Sequence, residues 1–123
     1  MRVVTFGEVM LRLAPQNHKE YSISTTLRNV AVSIALQGGA SAFVTASPDN
    51  AITDSLVQEV KKTGVDSSLI QRSSRGRFGI YFVETGANQR GGTVTYDREF
   101  SSIALATPDE FDWNQVFEEA TWF

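Results

Sequence analysis

Residues 27–46 read LRNVAVSIALQGGASAFVTA, and this stretch contains the pattern that decides the fold. Its apolar side chains first recur at the spacing of one helix face, at Leu27, Val30, Ala31, Ile34 and Ala35. Gly38 and Gly39 then end the helix, because glycine tolerates the positive φ common at helix C-termini. Residues 42–46 follow as an apolar run typical of a buried strand. The stretch therefore predicts a helix leading into a buried strand.

The residues on either side continue this alternation. Residues 3–6 are an apolar run rich in β-branched side chains, which predicts an earlier buried strand. After residues 47–50, a second amphipathic stretch ends at Gly64, and its apolar face consists of Ile52, Leu56, Val57 and Val60. The order strand, helix, strand, helix predicts an α/β fold with a right-handed parallel sheet.

Composition limits the classes of protein to which the chain can belong. It has 123 residues, a formal net charge of −3, a pI near 5.1 and no cysteine. The length suits one domain that buries its own core, and the missing cysteines exclude thiolate metal sites and disulfides. The mildly acidic balance argues against nucleic acid or membrane as a partner. Without a long apolar run or a secretory signal, we expect a cytoplasmic protein.

Several catalytic motifs are missing from the sequence. It contains neither a G-x-x-x-x-G-K-[ST] phosphate loop nor a G-x-G-x-x-G fingerprint. The single histidine, His18, lies in a polar stretch, so neither a Ser-His-Asp triad nor a histidine metal site is expected. We expect no metal-binding residues in this chain.

Thr107 followed by Pro108 and Glu110 matches a capping box and predicts a helix beginning there.

A different pattern occupies the following segment. Strand-like runs at residues 79–84 and 93–98 flank a polar, glycine-containing stretch and predict an antiparallel hairpin. Alternate residues of a strand share a face, so Tyr96 and Arg98 project together, and Tyr81 lies on one face of the preceding strand. Residues 21–24 alternate in the same way and predict an edge strand.

Two interpretations of this hairpin follow. Tyrosine hydroxyls and a guanidinium suit a small polyhydroxylated acid, since hydroxyls bond sugar oxygens and arginine binds a carboxylate through two donors. Alternatively, the tyrosines pack against each other across the strands and Arg98 pairs with Asp97 or Glu99. Periodicity alone leaves both interpretations open and favours the packing of the tyrosines over substrate binding.

Longer motifs carry a family resemblance. Residues 77–101, read as RFGIYFVETGANQRGGTVTYDREFS, resemble the corresponding block of 2-keto-3-deoxygluconate kinases, which belong to the ribokinase-like (pfkB) sugar kinases. Residues 3–13 resemble that family's opening strand and the turn into its lid. The order of the remaining family elements is also matched, at residues 29–31, 43–45, 48–50, 64–66, 111–113 and 122–123.

The resemblance implies a partial ribokinase-like fold, with a doubly wound parallel sheet and an antiparallel β lid. Residues 1–6, 27–70 and 107–123 would form the α/β core, and residues 9–26 and 77–98 the lid strands. It further implies a kinase that transfers the γ-phosphate of ATP to a sugar acid with the help of Mg²⁺. By position, the substrate-binding residues would be Tyr81, Tyr96, Arg98 as carboxylate partner, Asn29 and Glu8.

The chain departs from the family pattern in two places. Residues 24–28 read STTLR where the family has a Gly-Gly pair and a Glu, and the preceding segment is shorter. The G-x-G-D motif, which supplies the catalytic base, is absent together with the nucleotide-binding half. We therefore expect one incomplete domain, the N-terminal part of a sugar-acid kinase, with no catalytic or ATP-binding residues of its own. The alternative is a non-catalytic module for sugar binding or oligomerisation, forming homo-oligomers through the lid strands.

Overall fold

The computed structural model describes residues 1–14, 21–24, 26–84, 86 and 88–123. Their strands are β1 (Arg2–Phe6), β2 (Met10–Leu13), β3 (Tyr21–Ser24), β4 (Ala40–Pro48), β5 (Ile70–Ser73), β6 (Gly79–Glu84) and β7 (Thr93–Asp97). Their α-helices are α1 (Thr26–Leu36), α2 (Ala51–Lys62), α3 (Ser102–Leu105) and α4 (Trp113–Phe117). None of these helices has the length and apolar character needed to cross a membrane.

The first sheet has the strand order β1-β4-β5, and both pairings are parallel. The helix and strand predicted from residues 27–46 are α1 and β4, although β4 is longer than expected. Gly38 has a φ of +83° at the turn between them, which a side chain would disfavour. Asn50 caps α2 by accepting hydrogen bonds from the amides of Ile52 and Thr53, at 3.0 and 3.2 Å. The predicted parallel α/β arrangement is confirmed.

Helices cover both faces of this sheet, because β4 alternates its side chains between two cores. On one face, Phe43 packs in a cluster with Ala31 of α1 and Leu56 of α2. On the other, a second cluster joins Val44 to Phe111 and Val116, with α4 supplying Val116. The result is the doubly wound arrangement that the family resemblance implies.

The second sheet has the order β3-β2-β6-β7. β6 and β7 pair antiparallel, which confirms the predicted hairpin, and β3 is the predicted edge strand beside β2. β2 pairs parallel with β6, aligning Arg12 with Tyr81. The altered segment at residues 24–28 includes position 25, which lies outside the described residues. His18 also lies outside them.

The expected helix start at Thr107 is wrong. Pro108–Glu110 forms only one turn of 3₁₀-helix, and Thr107 makes no side-chain capping bond. The helix begins at Trp113, where Asp112 accepts a hydrogen bond from the amide of Gln115 at 3.1 Å. Between the two turns, Phe111 has an extended backbone and its side chain is buried in the core. Burial of this ring outweighs the local capping preference.

The outer edge of β1, on the side away from β4, pairs with residues 121 and 122. Thr121 donates its amide to the carbonyl of Arg2, and Val4 donates its amide to the carbonyl of Trp122, both at 2.8 Å. This parallel bridge continues the first sheet beyond β1.

Asp66 joins the amino-terminal end of β1 to β4, because its backbone bonds Ser41 and Phe43 of β4 and its side chain binds Arg2. Its carboxylate accepts a 2.6 Å hydrogen bond from Arg2 and a 2.9 Å bond from the amide of Ser68. Burial raises the pKa of this carboxyl, but the hydrogen bonds from Ser68 and the charge of Arg2 outweigh it, so the pKa lies below its usual range.

We expect Asp66→Asn to lower the free energy of unfolding at neutral pH, and the deficit to vanish in acid. A carboxyl whose folded pKa is lowered stabilises the fold above its unfolded pKa of about 3.9 and loses that effect as pH falls through the folded pKa. Urea unfolding of wild type and variant between pH 3 and 7 measures this. The exposed Glu118→Gln serves as control, and a deficit that is constant with pH contradicts the prediction.

Candidate functional site

One face of the second sheet brings together most of the predicted site residues. Tyr81 lies directly opposite Tyr96 in the β6–β7 register, with ring centroids 6.0 Å apart and ring planes tilted by 31°. Arg12 is aligned with Tyr81 from the other side, so Arg12, Tyr81 and Tyr96 form a row across three strands. Tyr81 is half-buried, whereas Arg12 and Tyr96 are exposed. Together with Glu8 and Arg98, we call this surface the tyrosine face.

An ion pair lies beside this row. The Nε of Arg98 donates to Oε2 of Glu8 at 2.7 Å, although 90 residues separate them in the chain. The Glu8 side chain is 9% exposed and that of Arg98 is 54% exposed. The buried carboxylate therefore holds the Nε of an arginine whose side chain is about half exposed.

The structure decides between the possible local partners of Arg98. Asp97 projects to the opposite face, where it accepts a 2.5 Å hydrogen bond from Arg77. Arg98 instead pairs with Glu8, an acid that the local sequence pattern did not suggest. The tyrosines do form the cross-strand pair expected of packing residues, but the 59% exposure of Tyr96 leaves much of its ring and hydroxyl accessible.

Gly79 makes room for the Glu8 carboxylate. A Cβ built on this buried glycine would overlap Oε1 of Glu8 and lie 3.1 Å from Cγ of Met10. Because Gly79 and Tyr81 are two residues apart on one strand, the carboxylate lies on the same face as Tyr81. The absent side chain is thus the reason that Glu8 can lie against β6.

Asn29 lies at the same edge of the first sheet as Glu8, but on a different element. α1 packs against β1 and β4 and enters β4 through a tight turn, so the first turn of α1 lies at the carboxyl ends of these parallel strands. Glu8 follows β1 at that edge. Asn29 is exposed and its side chain makes no hydrogen bond to a described residue. The topology therefore brings Asn29 to the edge without placing it in the row.

Arg12 is the member of the tyrosine face that the sequence analysis missed. The alternation of residues 10–13 shows that Arg12 is on the opposite face from Leu11, but not which residue of β6 lies beside it. Only the parallel β2–β6 register supplies that neighbour. Since this pairing is non-local, the sequence pattern carries no direct signal for it.

Comparisons with known proteins agree with this architecture. The sequence pattern of the pfkB family of carbohydrate kinases matches residues 26–121, which is most of the chain. This chain belongs to the pfkB family. The predicted resemblance and ribokinase-like fold are thereby confirmed.

Two relatives match along nearly the whole of this chain. A crystal structure of a 2-dehydro-3-deoxygluconokinase from Thermotoga maritima is 40% identical, with a TM-score of 0.90, and is matched over 100% of this chain and 40% of that one. A 2-dehydro-3-deoxygalactonokinase from Haloferax volcanii is 29% identical over 98% of this chain and 40% of its own length.

A more distant structure shares only the fold. An uncharacterized sugar kinase from Pyrococcus horikoshii, crystallised in complex with ATP, is 20% identical with a TM-score of 0.82, over 98% of this chain and 41% of that one. The present chain thus spans about 40% of the length of the relatives it matches.

The family implies ATP and Mg²⁺, and the acidic side chains of the described residues bear on the metal alone. Among residues 1–14, 21–24, 26–84, 86 and 88–123, no three Asp, Glu or His side chains are grouped so as to hold a metal ion. The acids of the tyrosine face and its surroundings are engaged with arginines, as in the pairs of Glu8 with Arg98 and Asp97 with Arg77. No step of phosphoryl transfer is therefore assigned to these residues.

We expect Gly79→Ala to displace the Glu8 carboxylate and weaken its contact with Arg98. Forcing a methyl group into this packed position should lower the free energy of unfolding by about 1–3 kcal/mol. Urea denaturation measures the loss. Gly91→Ala is the matched control, because nothing lies within 4 Å of its Cβ position and its φ is not positive. Equal stability of the two variants would contradict the close approach of Glu8.

Proposed function

We propose that these residues are the sugar-acid-binding portion of a kinase that phosphorylates 2-keto-3-deoxygluconate or a close relative of it, using ATP. The compound is also called 2-dehydro-3-deoxygluconate, the substrate in the name of the Thermotoga maritima relative. The Haloferax volcanii relative is named for the galactonate epimer, so the class of substrate is shared and the hydroxyl configuration differs.

The observation that carries this proposal is the tyrosine face itself. It combines two tyrosine hydroxyls with a half-exposed arginine that Glu8 holds through Nε. A planar guanidinium with two parallel donors matches a carboxylate, and phenol hydroxyls both donate to and accept from sugar hydroxyls. We propose that Arg98 binds the acid group, Tyr81 and Tyr96 bind hydroxyls, and Glu8 positions Arg98.

Asn29 and Glu8 would complete the sugar site from the first sheet. Both lie at the carboxyl edge of the parallel strands, where open α/β sheets commonly bind ligands. An exposed asparagine offers both a donor and an acceptor to a sugar hydroxyl. In this proposal, the strands β2, β3, β6 and β7 act as the lid over the sugar and the first sheet lies beneath it.

ATP and Mg²⁺ are parts of the proposal that the described residues do not hold. ATP use is supported by membership of a carbohydrate kinase family and by the nucleotide in the Pyrococcus horikoshii relative. Phosphoryl transfer depends on positioning and charge stabilisation. Since the sequence has no G-x-G-D motif, we propose that the 123 residues alone bind sugar acid without phosphorylating it. The cysteine-free composition and the use of ATP favour a cytoplasmic location.

A second candidate is a non-catalytic sugar-binding or oligomerisation module. The exposure of every residue of β7 favours it, because an edge strand with free backbone groups is a template for a second chain. We propose that homo-oligomers form through the lid strands, and neither nucleic acid nor membrane is proposed as a partner. Sedimentation velocity tests this, and a monomer at all concentrations would argue against it.

Incubating the chain with ATP, Mg²⁺ and 2-keto-3-deoxygluconate should yield no phosphorylated sugar, as measured by mass spectrometry. Calorimetric titration under the same conditions should show that the sugar acid binds. Formation of a phosphorylated product would overturn the inactive-portion proposal, whereas an absence of binding would overturn the assignment of the sugar site.

Arg98→Ala should weaken binding of the sugar acid more than binding of a neutral counterpart in which hydroxymethyl replaces the carboxylate. Losing a charge-assisted hydrogen bond should reduce the affinity for the acid by roughly tenfold or more. Calorimetry gives both dissociation constants. Arg98→Lys keeps the positive charge beside Glu8 and tests geometry alone, and Arg90→Ala on the hairpin loop is the control. Equal losses for the two ligands would contradict carboxylate binding by Arg98.

A further inference from the structure

We propose that Arg12 is a second carboxylate-binding residue, and that it makes the tyrosine face select sugar acids over neutral sugars. This inference rests on the proposed function, because it assigns a specificity determinant to the same site. It concerns a residue that neither the sequence pattern nor the comparisons single out.

The position of Arg12 is the first support. β2 lies between β3 and β6, so Arg12 is in the interior of the sheet rather than on its edge. Its alignment with Tyr81, and that of Tyr81 with Tyr96, puts the three side chains in one row on one face. The neighbouring residues Leu11 and Leu13 project to the other face, where Leu11 packs against the core. A charged residue here therefore serves the exposed face.

The charges on this face are the second support. Arg98 is matched by the Glu8 carboxylate at 2.7 Å, so this pair is neutral as a unit. Arg12 makes no ion pair with any described residue, and its side chain is exposed. Glu8, Arg12 and Arg98 together carry one net positive charge. The positive charge that attracts an anion to this face is thus contributed by Arg12.

The spacing of the two arginines is the third support. Arg98 directly follows β7, which is separated from β2 by one strand, β6. Two strand spacings amount to roughly 10 Å, and both side chains are long enough to converge over the tyrosine pair. Arg98, oriented by Glu8, fixes the direction of the carboxylate, while Arg12 adds charge from the opposite side. A neutral sugar would gain from the tyrosines but not from this second cation.

The test compares variants of this chain in binding the sugar acid and its neutral counterpart. Arg12→Gln removes the charge but keeps a hydrogen-bond donor on a shorter side chain, and Arg12→Lys keeps the charge. Lys61→Gln is the control for net charge, because Lys61 lies in the last turn of α2, at the amino-terminal edge of the sheet and away from the tyrosine face. Isothermal titration calorimetry with 2-keto-3-deoxygluconate and the hydroxymethyl analogue gives the dissociation constants, and urea unfolding checks that each variant folds.

We expect Arg12→Gln to weaken binding of the acid by about ten- to a hundredfold and to leave binding of the neutral sugar within about twofold of wild type. Arg12→Lys should retain the preference for the acid, and Lys61→Gln should match the wild type. Salt should weaken acid binding less in Arg12→Gln than in the wild type, since one charge has been removed.

Two other outcomes would each overturn a claim, one of them the role of Arg12 alone and the other the proposed function as well. If the wild type binds the acid and Arg12→Gln binds it equally well, or loses both ligands in equal measure, the role of Arg12 is overturned and the proposed function stands. If the wild type binds neither ligand, or prefers the neutral sugar, the proposed function fails and the inference about Arg12 fails with it.

Discussion

The burial of β4 on both faces is the constraint on which the rest of the structure depends. Its residues from Ser41 to Pro48 are buried without interruption, so each face needs its own cover. α1 and α2 provide that cover on one face, and the segment carrying Phe111 and Val116 provides it on the other. Because β1 and β5 pair parallel to β4, their carboxyl ends share one edge. The location of Glu8 and Asn29 at this edge is thus a consequence of how the core is covered.

The second sheet is held by different forces. Every residue of β7 is exposed, so this strand gains little from apolar burial and depends on its hydrogen bonds to β6. The ion pairs of Arg77 with Asp97 and of Arg98 with Glu8 join the base of the hairpin to neighbouring segments. The pair of Arg77 with Asp97 is exposed on both sides, and exposed pairs contribute little free energy. The second sheet should therefore open locally at a lower free energy than the first.

The sequence predicted the elements whose pattern is local and could not predict the contacts that join distant segments. The spacing of apolar residues was enough for α1, α2 and the hairpin of β6 with β7. The capping box at Thr107 was misleading, because the demand of the core for Phe111 does not show in the local pattern.

The site followed the same division. Period-two alternation assigned Tyr96 and Arg98 to one face of their strand, and the β6–β7 register puts Tyr81 beside Tyr96. The partner of Arg98 is 90 residues away, and the neighbour of Arg12 is set by a parallel register between non-consecutive strands. Both contacts depend on how strands from distant segments align, and the pattern of a single sequence does not give that alignment. The residues of the site were therefore easier to predict than their pairing.

The pairing of β1 with residues 121 and 122 has a consequence for how the chain folds. Arg2 bonds Thr121 across a separation of 119 residues, which is nearly the whole chain. Closing so large a loop costs entropy that no local contact offsets, and contacts of long sequence separation slow folding. We therefore expect the outer edge of β1 to be among the last parts of the sheet to form. Until then, the strands β1, β4 and β5 can already be paired, while the outer backbone groups of β1 still lack their partners at residues 121 and 122.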